Sequence, residues 1–343
     1  MRKPQIPALS FIKAVCCLGI VAYHFANQMT NVRLSFFLET ANCSWGDLLV
    51  TVFFVVSGAL LYYHNSEKLD LAVYFKKRWL GIFPMFYVAY FYFFIQTVLN
   101  IRTPFYKGKP WAYIFTLIGM DGYLSQVTTT YYLLGEWFLG AIIILYILFP
   151  LLRELFQRNS TVTALSVLAL YLFFADRPIT NPNAFWSISS CLLSFTMGLL
   201  FIKYRKKLMT PMVFLVSLAG CIFFLFVKLP ITANLAAHLS GIFFFVCLVH
   251  VGEWVMKPRL LAGFFAELGR LSYPIFLVHH RLLCRFAEAW QPGSPVKAMA
   301  ILAFSGIVIL CMAQALSIVT DAVVRFVGAQ MKNRKSKQSA TVR

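Results

Sequence analysis

The chain has 343 residues, of which 60% are hydrophobic and 13% are charged, and it carries a formal net charge of +19. Soluble domains usually contain about a quarter charged residues, so this composition excludes a soluble globular protein. Basic chains often bind nucleic acid, but here the basic residues lie in short clusters between apolar segments, as membrane topology predicts. We therefore expect membrane lipids around the chain and no nucleic-acid partner.

Ten apolar segments come close to the length of about 20 residues that a helix needs to cross a hydrocarbon layer of about 30 Å. They predict an all-α fold, a polytopic integral membrane helix bundle of about ten transmembrane helices. The predicted spans, in chain order, are 8–29, 47–64, 80–100, 132–152, 160–175, 185–202, 211–228, 233–255, 271–289 and 297–322. The segment 111–120 is too short to span and is expected to lie at an interface or to re-enter the membrane.

The basic residues predict the orientation of these spans. Of the 31 Lys and Arg residues, 21 lie on the side that holds both termini and nine lie on the other side, with Lys13 inside the first span. Because cytoplasmic loops carry the excess of basic residues, both termini are predicted to be cytoplasmic in a multi-pass protein of the cell membrane. We expect residues 1–331 to form the transmembrane domain and residues 332–343 to form a basic, disordered cytoplasmic tail.

The first predicted span carries two ionisable side chains, Lys13 and His24. Eleven residues separate them, which is three helical turns plus about 20°, so both lie on one face, about 16 Å apart along the axis. Ionisable residues inside a span usually face a polar cavity or carry function, which favours a polar track with a cationic mouth and an imidazole at its far end. Two simpler interpretations stay open: a snorkelling interfacial lysine, and a histidine packed against a neighbouring helix.

The stretch LSFIKAVCCLGIVAYH resembles the first helix of membrane acyltransferase family 3, in which Arg or Lys is followed by ten residues and then His. Four later segments resemble further blocks of that family in the same order, namely FFVVSGALL (53–61), KKRWLGIFPMFY (76–87), GEWFLGAIIILYILFPLL (135–152) and LSYPIFLVHH (271–280). The resemblance extends from about residue 8 to residue 320, so residues 1–331 are expected to be the acyltransferase domain. No SGNH-type domain of the kind fused to some members is present in this sequence.

Members of this family move an acyl group, usually acetyl, from a cytoplasmic donor to a hydroxyl of an extracytoplasmic glycan or a related acceptor. The resemblance therefore implies an O-acetyltransferase of polysaccharide biosynthesis, with acetyl-CoA as the acyl donor, a glycan or lipid-linked saccharide as the acceptor, and no metal. An imidazole such as that of His24 can take the proton of a sugar hydroxyl or carry the acyl group itself. Direct transfer and an acyl-histidine intermediate both stay open.

The donor and acceptor sides of such a site have separate candidate residues. Acetyl-CoA carries several phosphates, so Lys13, Lys77 and Arg78, on the predicted cytoplasmic side, are expected to attract it. Ser57 is a candidate donor contact, although together with Gly58 it also fits a place where two helices approach closely.

Three candidates lie toward the predicted outer side. Glu136, near the outer end of its span, is a candidate partner for the His24 imidazole or for acceptor hydroxyls, or an interfacial carboxylate that faces water. His279, which matches a late histidine of the family, and Arg281 are candidates for binding the acceptor. The alternative for both is interfacial anchoring.

Three residues depart from the family pattern. Ser10 stands where an acidic residue is common, Lys13 where arginine is commoner, and Gly81 where a second arginine often follows the position of Arg78. A lysine attracts phosphate as a point charge but lacks the bidentate contact of arginine, so these departures affect how the donor is held. Two alternative functions stay open: a non-catalytic partner in envelope assembly, and a transporter or flippase of lipid-linked saccharides.

Overall fold

The computed structural model describes residues 4–175 and 183–341, with side chains described up to residue 330. Within these ranges the chain forms thirteen α-helices and no β-sheet. In chain order they are α1 (Pro7–Gln28), α2 (Ser35–Leu38), α3 (Trp45–Asn65), α4 (Leu71–Ile101), α5 (Tyr113–Leu117), α6 (Asp121–Leu124), α7 (Glu136–Arg158), α8 (Ser160–Phe174), α9 (Ile188–Leu208), α10 (Pro211–Phe226), α11 (Ala233–Val255), α12 (Arg259–Ala289) and α13 (Pro295–Thr341).

Ten of these helices have fifteen residues or more, and each coincides with one predicted span. Seven of them, α1, α3, α4, α7, α11, α12 and α13, are long and apolar enough to cross a membrane. Helices α8 and α10 are apolar but shorter, and α9 ends in a turn that carries three basic residues. The predicted all-α polytopic membrane bundle is therefore confirmed.

The direction of the helices follows from contacts between their side chains. Gly19 of α1 packs against Leu49 of α3, and Gly46 of α3 packs against Tyr23 of α1. Residue numbers rise along one helix as they fall along the other, so α3 runs antiparallel to α1. This is the arrangement that consecutive membrane spans require.

Helix α12 runs in the same direction as α1. Near the start of α1, Gly269 lies against the backbone of Ser10, and near its end the His279 ring lies 5.2 Å from the His24 ring, centroid to centroid. The first and ninth spans of a ten-span chain must be parallel, as observed. This pairing decides which side chains of α12 reach the polar face of α1.

Helices α3 and α9 cross with their backbones in contact. A Cβ atom added to Gly58 would lie 2.0 Å from the carbonyl oxygen of Phe195, and one added to Gly198 would lie 2.1 Å from that of Val55. Small residues allow such close approach in membrane bundles, where dispersion contacts replace the hydrophobic effect as the driving force. The close approach that the sequence indicates at Gly58 is therefore present.

Three helices extend furthest beyond their predicted spans. Helix α4 begins at Leu71 rather than at residue 80, and α12 begins at Arg259 rather than at residue 271, because each includes a preceding amphipathic segment with charged side chains. The α13 backbone is helical to Thr341, into the segment from Lys332 for which the sequence predicts disorder. The division of the chain at residue 331 stays a prediction.

Short elements precede α7 and hold its first turn. The segment 111–120 forms part of a 3-10 turn, Pro110–Ala112, and the five-residue helix α5, so it is indeed too short to span. Gly122 of α6 packs so closely on α7 that an added Cβ would lie 2.5 Å from the carbonyl oxygen of Glu136. The α6 turn therefore fixes where the α7 helix and its first side chain begin.

We expect Asp121→Asn to stabilise the protein at neutral pH. Asp121 is 1% exposed, and burial raises the pKa of this carboxyl to about 6 from the model-peptide value of 3.8, against the lowering effects of the Thr116 hydroxyl and the Tyr131 backbone. Because ionisation is unfavourable in the folded state, the stabilising contribution is full below about pH 4 and is lost as the pH rises through 6. A shift of this size is worth about 3 kcal/mol.

Thermal unfolding of both proteins across pH 4–8 tests this expectation. The Asn variant should match the wild type near pH 4 and melt at a higher temperature near pH 8. Parallel pH profiles for the two proteins would show that the Asp121 carboxylate carries no such penalty.

Candidate active site

A cavity of about 260 Å³ lies between α1, α3, α4, α7 and α12. Most of its wall is apolar, as is typical of a small-molecule site with a few placed polar groups. The polar members of its wall are Lys13, Cys17, His24, Ser57, Glu136, Tyr146, Ser272, Tyr273 and His279. We call this space the central cavity.

Three histidine rings meet at one end of the central cavity. The His24 ring lies 5.2 Å from that of His279 and 5.0 Å from that of His280, measured between centroids. His24 lines this cavity, and neither a hydrogen bond nor an ion pair joins it to another described side chain. Two imidazoles at the wall of one small cavity can exchange protons with a bound hydroxyl.

Glu136 is the first residue of α7 and enters the site from a sharp turn. Gly135 has φ +94° and Glu136 has φ +35°, so both adopt the left-handed region at the helix start. The Glu136 carboxylate accepts a hydrogen bond from Nδ1 of His280, and it lies at the positive end of the α7 dipole. The sequence suggests Glu136 as a partner for the His24 imidazole, whereas in the structure its ion pair is with His280.

Two further cavities of about 250 Å³ each share wall residues with the central cavity or with each other. The first shares Lys13 with it and is also lined by His64, Asn65 and Arg78. The second shares those last three residues and adds Lys68, Asp70 and Lys77 among its lining residues. Their shared wall residues make the three cavities neighbours in one row, with the imidazoles at one end and a basic cluster at the other.

Two of the cations in this row, Lys13 and Arg78, form no ion pair with a described residue. Lys13 forms no ion pair with any described residue, although it stands where two cavities meet. The Nε atom of Arg78 is buried without a hydrogen bond, while its guanidinium lies 5.5 Å from the centroid of the Tyr146 ring. Buried polar groups are nearly always hydrogen-bonded, so unpaired cations at a cavity wall indicate a place for an anionic ligand.

A comparison with protein-family models matches residues 6–319, nearly the whole chain, to the family described as an acyltransferase domain. The chain belongs to this acyltransferase family. The resemblance seen in five sequence blocks is therefore confirmed, and the protein is a multi-pass membrane acyltransferase. No curated protein and no solved structure matches the chain.

The structure brings together five of the residues that the sequence singles out. All five line the central cavity of the acyltransferase, and they are Lys13, His24, Ser57, Glu136 and His279. Arg78 lines both of the further cavities and Lys77 lines the outermost one.

Arg281 does not line any of these three cavities. It follows His280 on α12, and its charge acts on the nearby side chains of Tyr106 and Tyr132. Its Nε atom is buried and has no hydrogen-bond partner among the described residues. Its place is therefore beyond the imidazole end of the row, away from the basic cluster.

Three side chains of this acyltransferase site have no clear signal in the sequence. Tyr146 lines the central cavity and has Ser57 and Arg78 as polar neighbours of its hydroxyl. Tyr273 lines the same cavity and donates to the carbonyl oxygen of Ile82 at 3.0 Å. The sequence places His280 beside His279 at the outer side, but it does not predict that the His280 ring meets that of His24 or that Nδ1 of His280 bonds to Glu136.

Proposed function

We propose that this acyltransferase moves an acetyl group from cytoplasmic acetyl-CoA to a hydroxyl of an extracytoplasmic glycan or lipid-linked saccharide, in the cell membrane. The row of three neighbouring cavities carries the proposal, because its wall residues extend from a basic cluster to a pair of imidazoles. With the basic end in the cytoplasm, as the charge distribution predicts, the row runs in the direction that the reaction requires.

The basic end suits the phosphates of the donor. Lys77, Arg78 and Lys13 follow one another along the row, so an anionic nucleotide at the outermost cavity leaves its thioester arm pointing toward the central cavity. A central cavity of about 260 Å³ favours a short acyl group such as acetyl over a long chain.

The imidazole end suits the transfer step. His24 either takes the proton of the acceptor hydroxyl while its oxygen attacks the thioester carbon, or first receives the acyl group on a ring nitrogen. In both routes the carbon–sulfur bond breaks, and the departing thiolate of coenzyme A receives a proton. The acceptor is expected to approach from the side of Arg281, which lies beyond the three histidines.

Membranes that contain the protein, supplied with radiolabelled acetyl-CoA and glycan extracted from the cell envelope, test the proposal. We expect label on the glycan that depends on both the protein and the intact thioester. Saccharide translocation that proceeds equally well without acetyl-CoA, with no labelled glycan, would contradict the proposal and favour a transporter.

Replacing Lys13 by methionine is expected to weaken donor binding without changing the chemistry. One charge-assisted contact is worth about 1.5–3 kcal/mol, so the KM for acetyl-CoA should rise about 10–100-fold while kcat changes little. Steady-state kinetics with acetyl-CoA and with acetyl-pantetheine, which has no phosphate, separate the charge effect from a loss of structure.

The phosphate-free donor should serve the wild type and the Lys13 variant equally. Lys203→Met is the matched control, because Lys203 is basic and lines a surface pocket away from the row. An unchanged KM for acetyl-CoA in the Lys13 variant would show that Lys13 is an interfacial lysine only.

A further inference from the structure

The hydrogen bonds of His279 fix which of its ring nitrogens carries a proton. His279 is 1% exposed, and its Nδ1 lies 3.1 Å from the carbonyl oxygen of Ile275 and 2.9 Å from that of Phe276. A carbonyl oxygen can only accept, so Nδ1 must be the donor. In the neutral ring, Nε2 therefore holds a lone pair and no proton.

The Nε2 atom of His279 is buried and has no hydrogen-bond partner in the described part of the chain. The residue lines the central cavity, and its ring is 5.2 Å from that of His24. Leaving a buried acceptor unsatisfied costs about 1–3 kcal/mol, so such an atom at a cavity wall is suited to a ligand that donates a hydrogen bond. A hydroxyl is a ligand of this kind.

The other two histidines are placed differently. Nδ1 of His280 is engaged by the Glu136 carboxylate, and His280 does not line the central cavity. His24 lines the cavity but no described protein group fixes its tautomer. Of the three rings, His279 is the one that lines the cavity and whose backbone contacts leave Nε2 as an unpartnered proton acceptor among the described residues.

We propose that His279 is the general base that takes the proton of the acceptor hydroxyl, which leaves His24 to carry the acyl group. This inference rests on the proposed function and chooses between its two routes. It makes His279 a catalytic residue rather than only a contact for the acceptor.

Acyl transfer then takes two steps. A His24 nitrogen bonds to the acyl carbon while the thioester carbon–sulfur bond breaks, and the His24 N–H proton passes to the departing thiolate. His279 Nε2 then takes the hydroxyl proton while the hydroxyl oxygen bonds to the acyl carbon and the bond from that carbon to His24 breaks. The proton moves from His279 to His24, which restores both neutral imidazoles.

The variant His279→Asn tests this assignment. The asparagine amide stands where Nδ1 stood, so it keeps a donor for the backbone carbonyls of Ile275 and Phe276, but it removes the Nε2 lone pair. With radiolabelled acetyl-CoA and cell-envelope glycan, we expect transfer to the glycan to fall about 10²–10⁴-fold. Label should accumulate on the protein, stable to detergent and released by hydroxylamine, because acyl-His24 forms but is not discharged.

His24→Ala should show neither labelled glycan nor labelled protein, and His250→Gln should behave like the wild type. His250 is also a buried histidine, and it bonds to the Leu208 carbonyl outside the central cavity. The assignment would be overturned if the His279→Asn protein transferred label to glycan at the wild-type rate, or if it carried no protein label. Either result would leave the acyltransferase function intact. A wild-type protein that labels no glycan would instead overturn the proposed function.

Discussion

Replacing His24 by alanine is expected to lower acyl transfer by about 10²–10⁴-fold, the range typical of a lost acid–base or nucleophilic group. The His24 imidazole is the one ring of the cluster that lies on the same helix as Lys13 and faces the same cavity. Its nitrogens form no hydrogen bond with a described protein group, so the substitution removes the reactive nitrogens without breaking a hydrogen bond of the described fold. The rate of label transfer from acetyl-CoA to glycan in proteoliposomes measures the effect.

Cys17 provides the control for donor binding. This thiol lines the central cavity between Lys13 and His24, so bound donor should slow its alkylation by a permeant maleimide. We expect acetyl-CoA to protect Cys17 equally in the wild type and in His24→Ala. Transfer that survives in the variant would contradict a catalytic role for His24.

The second large effect is expected at the crossing of α3 and α9. An alanine at Gly58 would place its Cβ 2.0 Å from a backbone oxygen of α9, and one at Gly198 would place it 2.1 Å from a backbone oxygen of α3. No rotamer change relieves a clash with backbone, so the helices must separate. Overpacking typically costs about 1–3 kcal/mol, and we expect each variant at or above the upper end.

Gly306→Ala is the matched control for this crossing. It lies within α13, where an added Cβ meets nothing within 4 Å, and alanine is favoured over glycine inside a helix by about 0.5–1 kcal/mol. Thermal unfolding in detergent should therefore show a lower melting temperature for Gly58→Ala and Gly198→Ala, and an equal or higher one for Gly306→Ala. Equal effects at all three positions would contradict the close crossing.

Hydropathy predicts the bundle because composition over about 20 residues specifies a membrane span. Each of the ten predicted segments corresponds to one long helix. Helix starts are less well specified. The fourth span is predicted to begin at residue 132, but Leu133 and Leu134 are buried in the loop before α7. The apolar residues extend beyond the helix because Gly135, with φ +94°, breaks it there.

The sequence likewise predicts one part of the candidate site and not the rest. That Lys13 and His24 share a face follows from helical periodicity, and both line the central cavity. That His279 and His280 meet His24 depends on the parallel packing of α12 on α1, which periodicity within one helix cannot predict. The Glu136–His280 ion pair joins α7 to α12 across 144 residues, so it too depends on how the helices pack.

Transfer across the membrane is the central claim, and sealed vesicles of known orientation test it most directly. In one arm, radiolabelled acetyl-CoA is present only on the cytoplasmic side of the vesicle membrane, and in the other arm only on the extracytoplasmic side. Cell-envelope glycan is on the extracytoplasmic side in both arms. We expect the glycan to be labelled only when the donor is on the cytoplasmic face. Equal labelling when donor and glycan are both on the extracytoplasmic face would contradict the claim that the acyl group passes from the basic cluster to His24.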